Sequence, residues 1–183
     1  MAAAAPRPVR QYVSFNLMGE EYALQIQSVR EIIECEPITA IPSMPPVVRG
    51  VMNLRGNVVP VIDLPVKFGL PETALGAGTY IVVVDLTWGG EAVRLGLLTR
   101  DLGQVIDISD DQIKAVPDFG TRIQSEYLRG IGQVGGHFVL FLNVERLLSP
   151  SELLRITALE SPLQAAASEI GTGTAGAGEA GGE

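Results

Sequence analysis

Between Val13 and Leu142 the chain is a succession of short apolar runs, each closed by Gly, Pro or Asp before it reaches helical length. That punctuation excludes a helical bundle and points to a mainly β fold with sharp corners. Val13, Phe15 and Leu17 alternate with Ser14 and Asn16, and after Met18-Gly19-Glu20 the alternation resumes through Tyr22, Leu24 and Ile26, which predicts a hairpin. Further strands are predicted at Val47 to Leu54, Asn57 to Leu64, Thr79 to Leu86, Ala92 to Leu98, Gln104 to Ile108, Gly130 to Val134 and His137 to Leu142. Turns fall at Arg55-Gly56, Trp88-Gly89-Gly90 and Gly135-Gly136. Many short strands with this spacing suit closed barrels or a sandwich, and the 21 glycines favour small barrels.

Two segments read as helix. Ser28-Val29-Arg30-Glu31 has the capping-box pattern, with Val29, Ile32 and Ile33 on one face before Pro37 stops the run, so a short helix is expected after the first hairpin. A C-terminal helix is expected from near Asn143 through Ser149-Pro150-Ser151-Glu152, with Leu153, Leu154 and Ile156 as its buried stripe. From Thr157 onward there is no Lys or Arg, and the chain becomes rich in Gly, Ala and Glu. The predicted organisation is a disordered arm over 1–10, a folded domain over 11–156 and a flexible tail over 157–183.

At 183 residues the chain suits one ordinary domain or two small barrels sharing a core. Its 13 Lys and Arg against 21 Asp and Glu give a net charge of −8, which argues against nucleic acid or an anionic membrane as a partner and favours another protein. The N-terminus lacks a basic segment followed by an apolar core, Ala2 follows Met1, and no apolar run approaches membrane-spanning length. A cytoplasmic protein without direct membrane insertion is expected.

One Cys and one His limit the chemistry available. No internal disulfide is possible, and a nucleophilic triad would rest entirely on His137, which opens an apolar strand after two glycines. Cys35 lies between Glu34 and Glu36, whose charges raise a thiol pKa. Asp110-Asp111 between Ser109 and Gln112 reads as a helix start rather than a metal site. The Gly-rich pieces lack the Gly-Lys-Ser/Thr ending of a phosphate loop, and Gly130-Ile131-Gly132 lacks the third glycine of a dinucleotide site. No catalytic residue, cofactor or metal is therefore assigned, and a small barrel enzyme or ligand carrier is the reading least supported.

The segment Ile41 to Leu64, with Val29 to Ile33 before it and Lys67-Phe68-Gly69-Leu70 after it, resembles the CheW family of chemotaxis coupling proteins. Asp111 to Ile113, Val116 to Phe119, Glu126 to Gly132 and Leu142 to Leu148 resemble its later blocks, so the similarity covers nearly all of Gln11 to Leu148. It implies two small SH3-like five-stranded β-barrels packed together, in a scaffold linking the cytoplasmic hairpin tip of methyl-accepting chemoreceptors to the regulatory domain of a CheA-type histidine kinase. Recruitment to membrane-associated receptor arrays, or service in a parallel system such as one controlling type IV pilus motility, follows from the same likeness; a fused receiver domain is not expected.

Carried over by position, the receptor-binding residues are Val29, Glu31, Gly50, Arg55, Gly56, Leu102 and Val105. Arg55 falls at a hairpin tip where Asn53 and Gly56 supply turn chemistry, and Gly50 and Gly56 admit close approach of another backbone. Two positions depart from the family pattern. Pro65 stands where Arg is common after Asp-Leu, and Thr99-Arg100 replaces the usual Val-Asp, placing a cation where an acid is typical.

Overall fold

The computed structural model describes residue 5 and residues 7–116 and 125–171; all but Val116 of the expected Val116 to Phe119 block, half of the N-terminal arm and the last part of the tail lie outside them. Among the described residues nine strands form one paired network: β1 (Val9–Leu17), β2 (Glu20–Gln25), β3 (Val29–Glu34), β4 (Val48–Leu54), β5 (Asn57–Asp63), β6 (Thr79–Trp88), β7 (Glu91–Ser109), β8 (Leu128–Val134) and β9 (His137–Leu142). Their order is β3-β6-β7-β1-β2-β9-β8, with β5 joining β4 to β7. Among the described residues there are two α-helices, α1 (Leu64–Lys67) and α2 (Pro150–Gly171).

β7 organises this network. The two predicted strands at Ala92 to Leu98 and Gln104 to Ile108 are one continuous strand of 19 residues. Its first half pairs antiparallel with β6 and parallel with β5. Its second half pairs antiparallel with β1, from Asn16↔Arg100 to Val9↔Ser109. One group of strands, β3 to β6, thus gathers on the first half, and the other, β1, β2, β8 and β9, on the second.

Each group has its own core, and a third core lies between them. Met52, Val59, Val61, Ile81, Val83 and Leu98 fill the first group, while Tyr12, Ala23, Ile106, Ile108, Val139 and Phe141 fill the second. Alternate residues of the same strands face the shared core: Val82, Val84 and Leu86 on β6, Val13, Phe15 and Leu17 on β1, and Leu140 and Leu142 on β9. Period-two alternation therefore divides apolar side chains between two interiors, which is why these runs read as continuously apolar. A stack of rings, Phe15 to Tyr22 at 6.4 Å, Tyr22 to Phe68 at 5.9 Å and Phe68 to Tyr127 at 6.0 Å, crosses from β1 and β2 to the end of α1.

Two hairpins use the same four-residue device. Asn16-Leu17-Met18-Gly19 and Asn53-Leu54-Arg55-Gly56 each place an Asn side chain to accept the N–H of the Gly, at 3.0 Å and 2.8 Å. In both, the two tip residues have positive φ, 52° and 88° at Met18 and Gly19, 52° and 82° at Arg55 and Gly56. These are the conformations of a primed two-residue turn, matched to strand twist.

The short helix expected after the first hairpin is not formed. One 3-10 turn (Ile26–Ser28) leads into β3, which pairs with β6. Val29, Ile32 and Ile33 fit a helical face, but β-branched side chains also suit a strand, and the unpaired edge of β6 decides the matter through backbone hydrogen bonds. Strand β1 likewise begins at Val9, inside the expected arm.

The C-terminal helix begins at Pro150 rather than near Asn143, which instead caps a separate 3-10 turn (Val144–Arg146). The Ser149 capping box is present: Ser149 N–H donates to Glu152 at 2.8 Å and Glu152 N–H donates to the Ser149 hydroxyl at 3.2 Å. Leu153 and Ile156 are buried, but Leu154 is 58% exposed, so the stripe is narrower than expected. The helix also continues past Thr157 to Gly171, where a flexible tail was expected, its Ala-rich run sustaining the hydrogen-bond ladder despite Pro162.

Asp63 is wholly buried and accepts from the Arg49 guanidinium at 2.8 Å, the Thr73 N–H at 3.0 Å and the Thr73 hydroxyl at 2.7 Å. Arg49 also donates to the Thr73 carbonyl at 3.1 Å, so β4, β5 and the loop after α1 are bound together at one carboxylate. Asp63→Ala strands the Arg49 charge and is expected to cost about 3–5 kcal/mol in denaturant unfolding.

Lys67 donates to Glu152 at 2.7 Å and joins α1 to α2. Burial pushes the Glu152 carboxyl up, but Lys67 and the Ser149 donors outweigh it and hold it below its ordinary value. A depressed carboxylate stabilises the fold above its unfolded pKa, and that contribution disappears as pH falls through the folded value. The wild-type chain is therefore expected to lose stability below about pH 4 more steeply than Glu152→Gln, as read from unfolding free energies across pH 3–6.

Candidate functional site

The proposed binding residues come from three strands and one hairpin tip. On β3, a register shift between Val29↔Val84 and Glu31↔Val83 makes Arg30 an extra residue. The bulge changes the direction of the side chains: Val29 packs against the shared core, whereas Ile33, beyond the bulge, packs against the core of its own strand group. Val29 is thus a half-buried strand residue, not part of a capped helical turn.

Arg55 does not extend freely into solvent. Its two terminal nitrogens donate to the two oxygens of Glu31 at 3.0 Å and 2.8 Å, a fork-to-fork pair spanning from the β4–β5 tip to β3. The Arg55 side chain is 74% exposed and that of Glu31 23% exposed, so solvent screens the pair and its value to stability is at most about 1 kcal/mol. Its effect is to hold the hairpin-tip cation in a fixed place against β3. The neighbouring positions carry another ionic group, in which Asp85 accepts from Arg30 at 3.0 Å and from Arg94 at 2.9 Å. Burial pushes the Asp85 carboxyl up, but the two guanidiniums outweigh it and keep it below its ordinary value.

Gly50 and Gly56 differ sharply. Gly56 has open space where a side chain would stand. Gly50 is buried at φ 148°, and a Cβ there would lie 2.1 Å from the Thr39 carbonyl oxygen. The backbone approaching Gly50 is this chain's own: Thr39 and Val51 exchange N–H to O bonds at 2.8 Å and 2.9 Å. Gly50 supports the hairpin from beneath instead of offering a contact surface.

Leu102 and Val105 sit where β7 is most irregular. Register shifts fall on both sides of the Phe15↔Leu102 pair. Gly103 admits the Ser14 side chain, whose hydroxyl accepts the Gln104 N–H at 2.9 Å, so buried Ser14 occupies the bend. Leu102 is half-buried on the same shared core as Val29, and Val105 is 54% exposed. The geometry therefore unites Arg55 with Glu31 and seats Val29 and Leu102 on one core, while Val105 stands outward from the second half of β7. Ser14, Thr39 and the Asp85 group escaped the sequence reading; a glycine within a strand run, as at Gly103, is the signal for the first.

The remaining chemical groups are occupied structurally. Burial pushes the Cys35 thiol up and Glu36 adds to it, with Arg49 opposing. His137 contacts Glu21, Gln112 accepts the Ser109 N–H at 3.1 Å, and Asp110 and Asp111 pair with Arg10 and Arg7. Pro65 lies in the first turn of α1, where its missing N–H is not needed. No group of three or more His, Cys, Asp or Glu among the described residues is placed to hold a metal ion, and no helix there is long and apolar enough to cross a membrane.

A family model for the CheW-like domain matches residues 11–152, which spans both strand groups and the start of α2. The chain belongs to the CheW-like domain family. It is 33% identical over 144 residues to the chemotaxis protein CheW of Klebsiella aerogenes, covering 79% of this chain and 84% of that one. It is 27% identical over 149 residues to protein FrzA of Myxococcus xanthus, covering 80% and 89%. The crystal structure of the scaffolding protein TtCheW from Thermoanaerobacter tengcongensis superposes with a TM-score of 0.70 at 27% identity, covering 83% of this chain and 96% of that one. The mainly β architecture is thus that of a CheW scaffold.

Two glycine and arginine substitutions separate support from contact in this CheW-like chain. Gly50→Ala is expected to lower the unfolding free energy by several kcal/mol, because Thr39 and Val51 must part. Arg55→Ala is expected to change it by no more than about 1 kcal/mol in the same denaturant melts.

Proposed function

We propose that this chain is a chemotaxis adaptor that couples methyl-accepting chemoreceptors to a CheA-type histidine kinase and has no substrate of its own. The observation that carries the reading is the CheW-like match over both strand groups, residues 11–152. On this reading the two strand groups are the two small barrels of the family, and the protein is a cytoplasmic scaffold recruited to membrane-associated receptor arrays.

The receptor's hairpin tip docks where the Arg55–Glu31 pair borders Val29, with Leu102 and Val105 extending the surface along β7 and Gly56 leaving room for a close approach. This suits a protein interface: half-buried aliphatic side chains supply the dry contact, and a held ion pair forms a polar rim. The kinase's regulatory domain takes another face. The likeness to FrzA supports a second reading, in which the same scaffold serves a parallel chemosensory pathway. A pull-down from the native cell, identifying the bound receptor and kinase, separates the two.

Reconstitution with a receptor fragment and the kinase tests the site. Arg55→Ala and Val29→Ala are expected to lower receptor-dependent kinase activation at least tenfold while the variants remain folded. Val29→Asp is unsuitable because Val29 rests on the shared core and a charge there disturbs folding. Folded variants with wild-type activation would move the docking site elsewhere.

A further inference from the structure

One cation stands at the corner where β7 changes partners. Acids outnumber bases in this chain, and Arg7, Arg10, Arg30, Arg49, Arg55 and Arg94 each have a carboxylate within ion-pair distance. Arg100, Lys114, Arg129, Arg146 and Arg155 have none among the described residues; Arg129 and Arg155 donate instead to Gln25 and to the Ser43 carbonyl, and Arg100, only partly exposed, is the one of the five that lies on β7. Its backbone is paired on both sides, with Thr79 of β6 and with Asn16 of β1, so it stands at the seam between the strand groups.

The surrounding backbone gives that position little freedom. Asp101, the next residue, has φ 48° and donates its N–H to the Gly78 carbonyl at 3.1 Å. Of the acids on β3 and β6, Glu31 is held by Arg55 and Asp85 by Arg30 and Arg94, and Glu34 forms no ion pair with Arg100 among the described residues. Asp101 itself turns toward Gly78, with Oδ1 3.4 Å from where a Cβ on Gly78 would stand. Two residues beyond Arg100 lies Leu102, and beyond it the exposed Val105.

We propose that Arg100 reads a carboxylate, an Asp or Glu side chain, on the receptor hairpin that docks over this corner. The inference rests on the receptor-docking reading above and adds to it the charge that the receptor must present. Docking removes water from the guanidinium, and an unpaired cation then opposes binding. A receptor carboxylate supplies the missing partner and can accept two parallel N–H bonds. The cation thereby becomes a selector, favouring receptors with an acid at that place and rejecting those with a base.

The test titrates the full chain against a soluble receptor cytoplasmic hairpin fragment from the same cell. Arg100→Glu is expected to weaken binding at least tenfold, and reversing the facing receptor acid to Lys, found by changing each Asp and Glu of the tip in turn, is expected to restore it. Arg100→Gln keeps the stem and loses the charge, so it decides the matter if a thermal melt shows Arg100→Glu to be misfolded; a threefold or greater loss is expected. Wild-type receptor affinity in a folded Arg100→Glu or Arg100→Gln variant overturns the proposal, as does a loss confined to titration against the kinase regulatory domain, or an Arg100→Glu defect that no receptor charge reversal relieves. If the wild-type chain itself fails to bind the receptor fragment, the docking reading fails first.

Discussion

The structure depends on β7 being shared. A strand that hydrogen-bonds β6 and β5 along its first half and β1 along its second commits both strand groups to one backbone. Neither group can shift relative to the other without breaking that ladder, and the core between them, with Val82, Val84, Phe15 and Leu140, excludes water from the join. The irregular stretch around Leu102 follows from the same constraint. A strand serving two sheets of different direction must turn between them, and bulges with a glycine at the close approach are how β structure turns.

Charges have different roles according to their depth. Asp63 is buried and fully hydrogen-bonded, so its pairing with Arg49 fixes the geometry of β4, β5 and the following loop, and removing one partner leaves the other uncompensated. Lys67 with Glu152 does the same between helices, with the Lys67 ammonium 5.2 Å from the centre of the Tyr127 ring. The Arg55–Glu31 pair is exposed and adds little to folding. It holds a long side chain in one orientation at a hairpin tip, which lowers the entropy lost when a partner covers it.

Much of the fold and some of the site were legible in the residues. The hairpins at Met18-Gly19 and Arg55-Gly56, and the Ser149 cap of α2, are local devices whose hydrogen bonds span only three residues. The short helix read at Ser28 to Ile33 was wrong because capping and spacing are weak local preferences, whereas β6 offers a ladder of backbone partners that no local pattern reveals. Gly50 was read as room for a partner, but Thr39 of the same chain takes that room. Val29 was read as part of a helix and lies in a strand. The pairing of Arg55 with Glu31 connects residues 24 positions apart, beyond the reach of any local rule.

The sequence alone determined the class of fold, most strand positions and the two hairpin turns, because each is set by side-chain type over a few residues. Tertiary structure alone decided that two apolar runs are one strand, that β3 is not a helix, that Glu31 holds Arg55, and that Arg100 lacks a carboxylate among the described residues. These depend on which distant backbones and charges meet, and the energy of such meetings comes from burial and long-range pairing rather than from local preference.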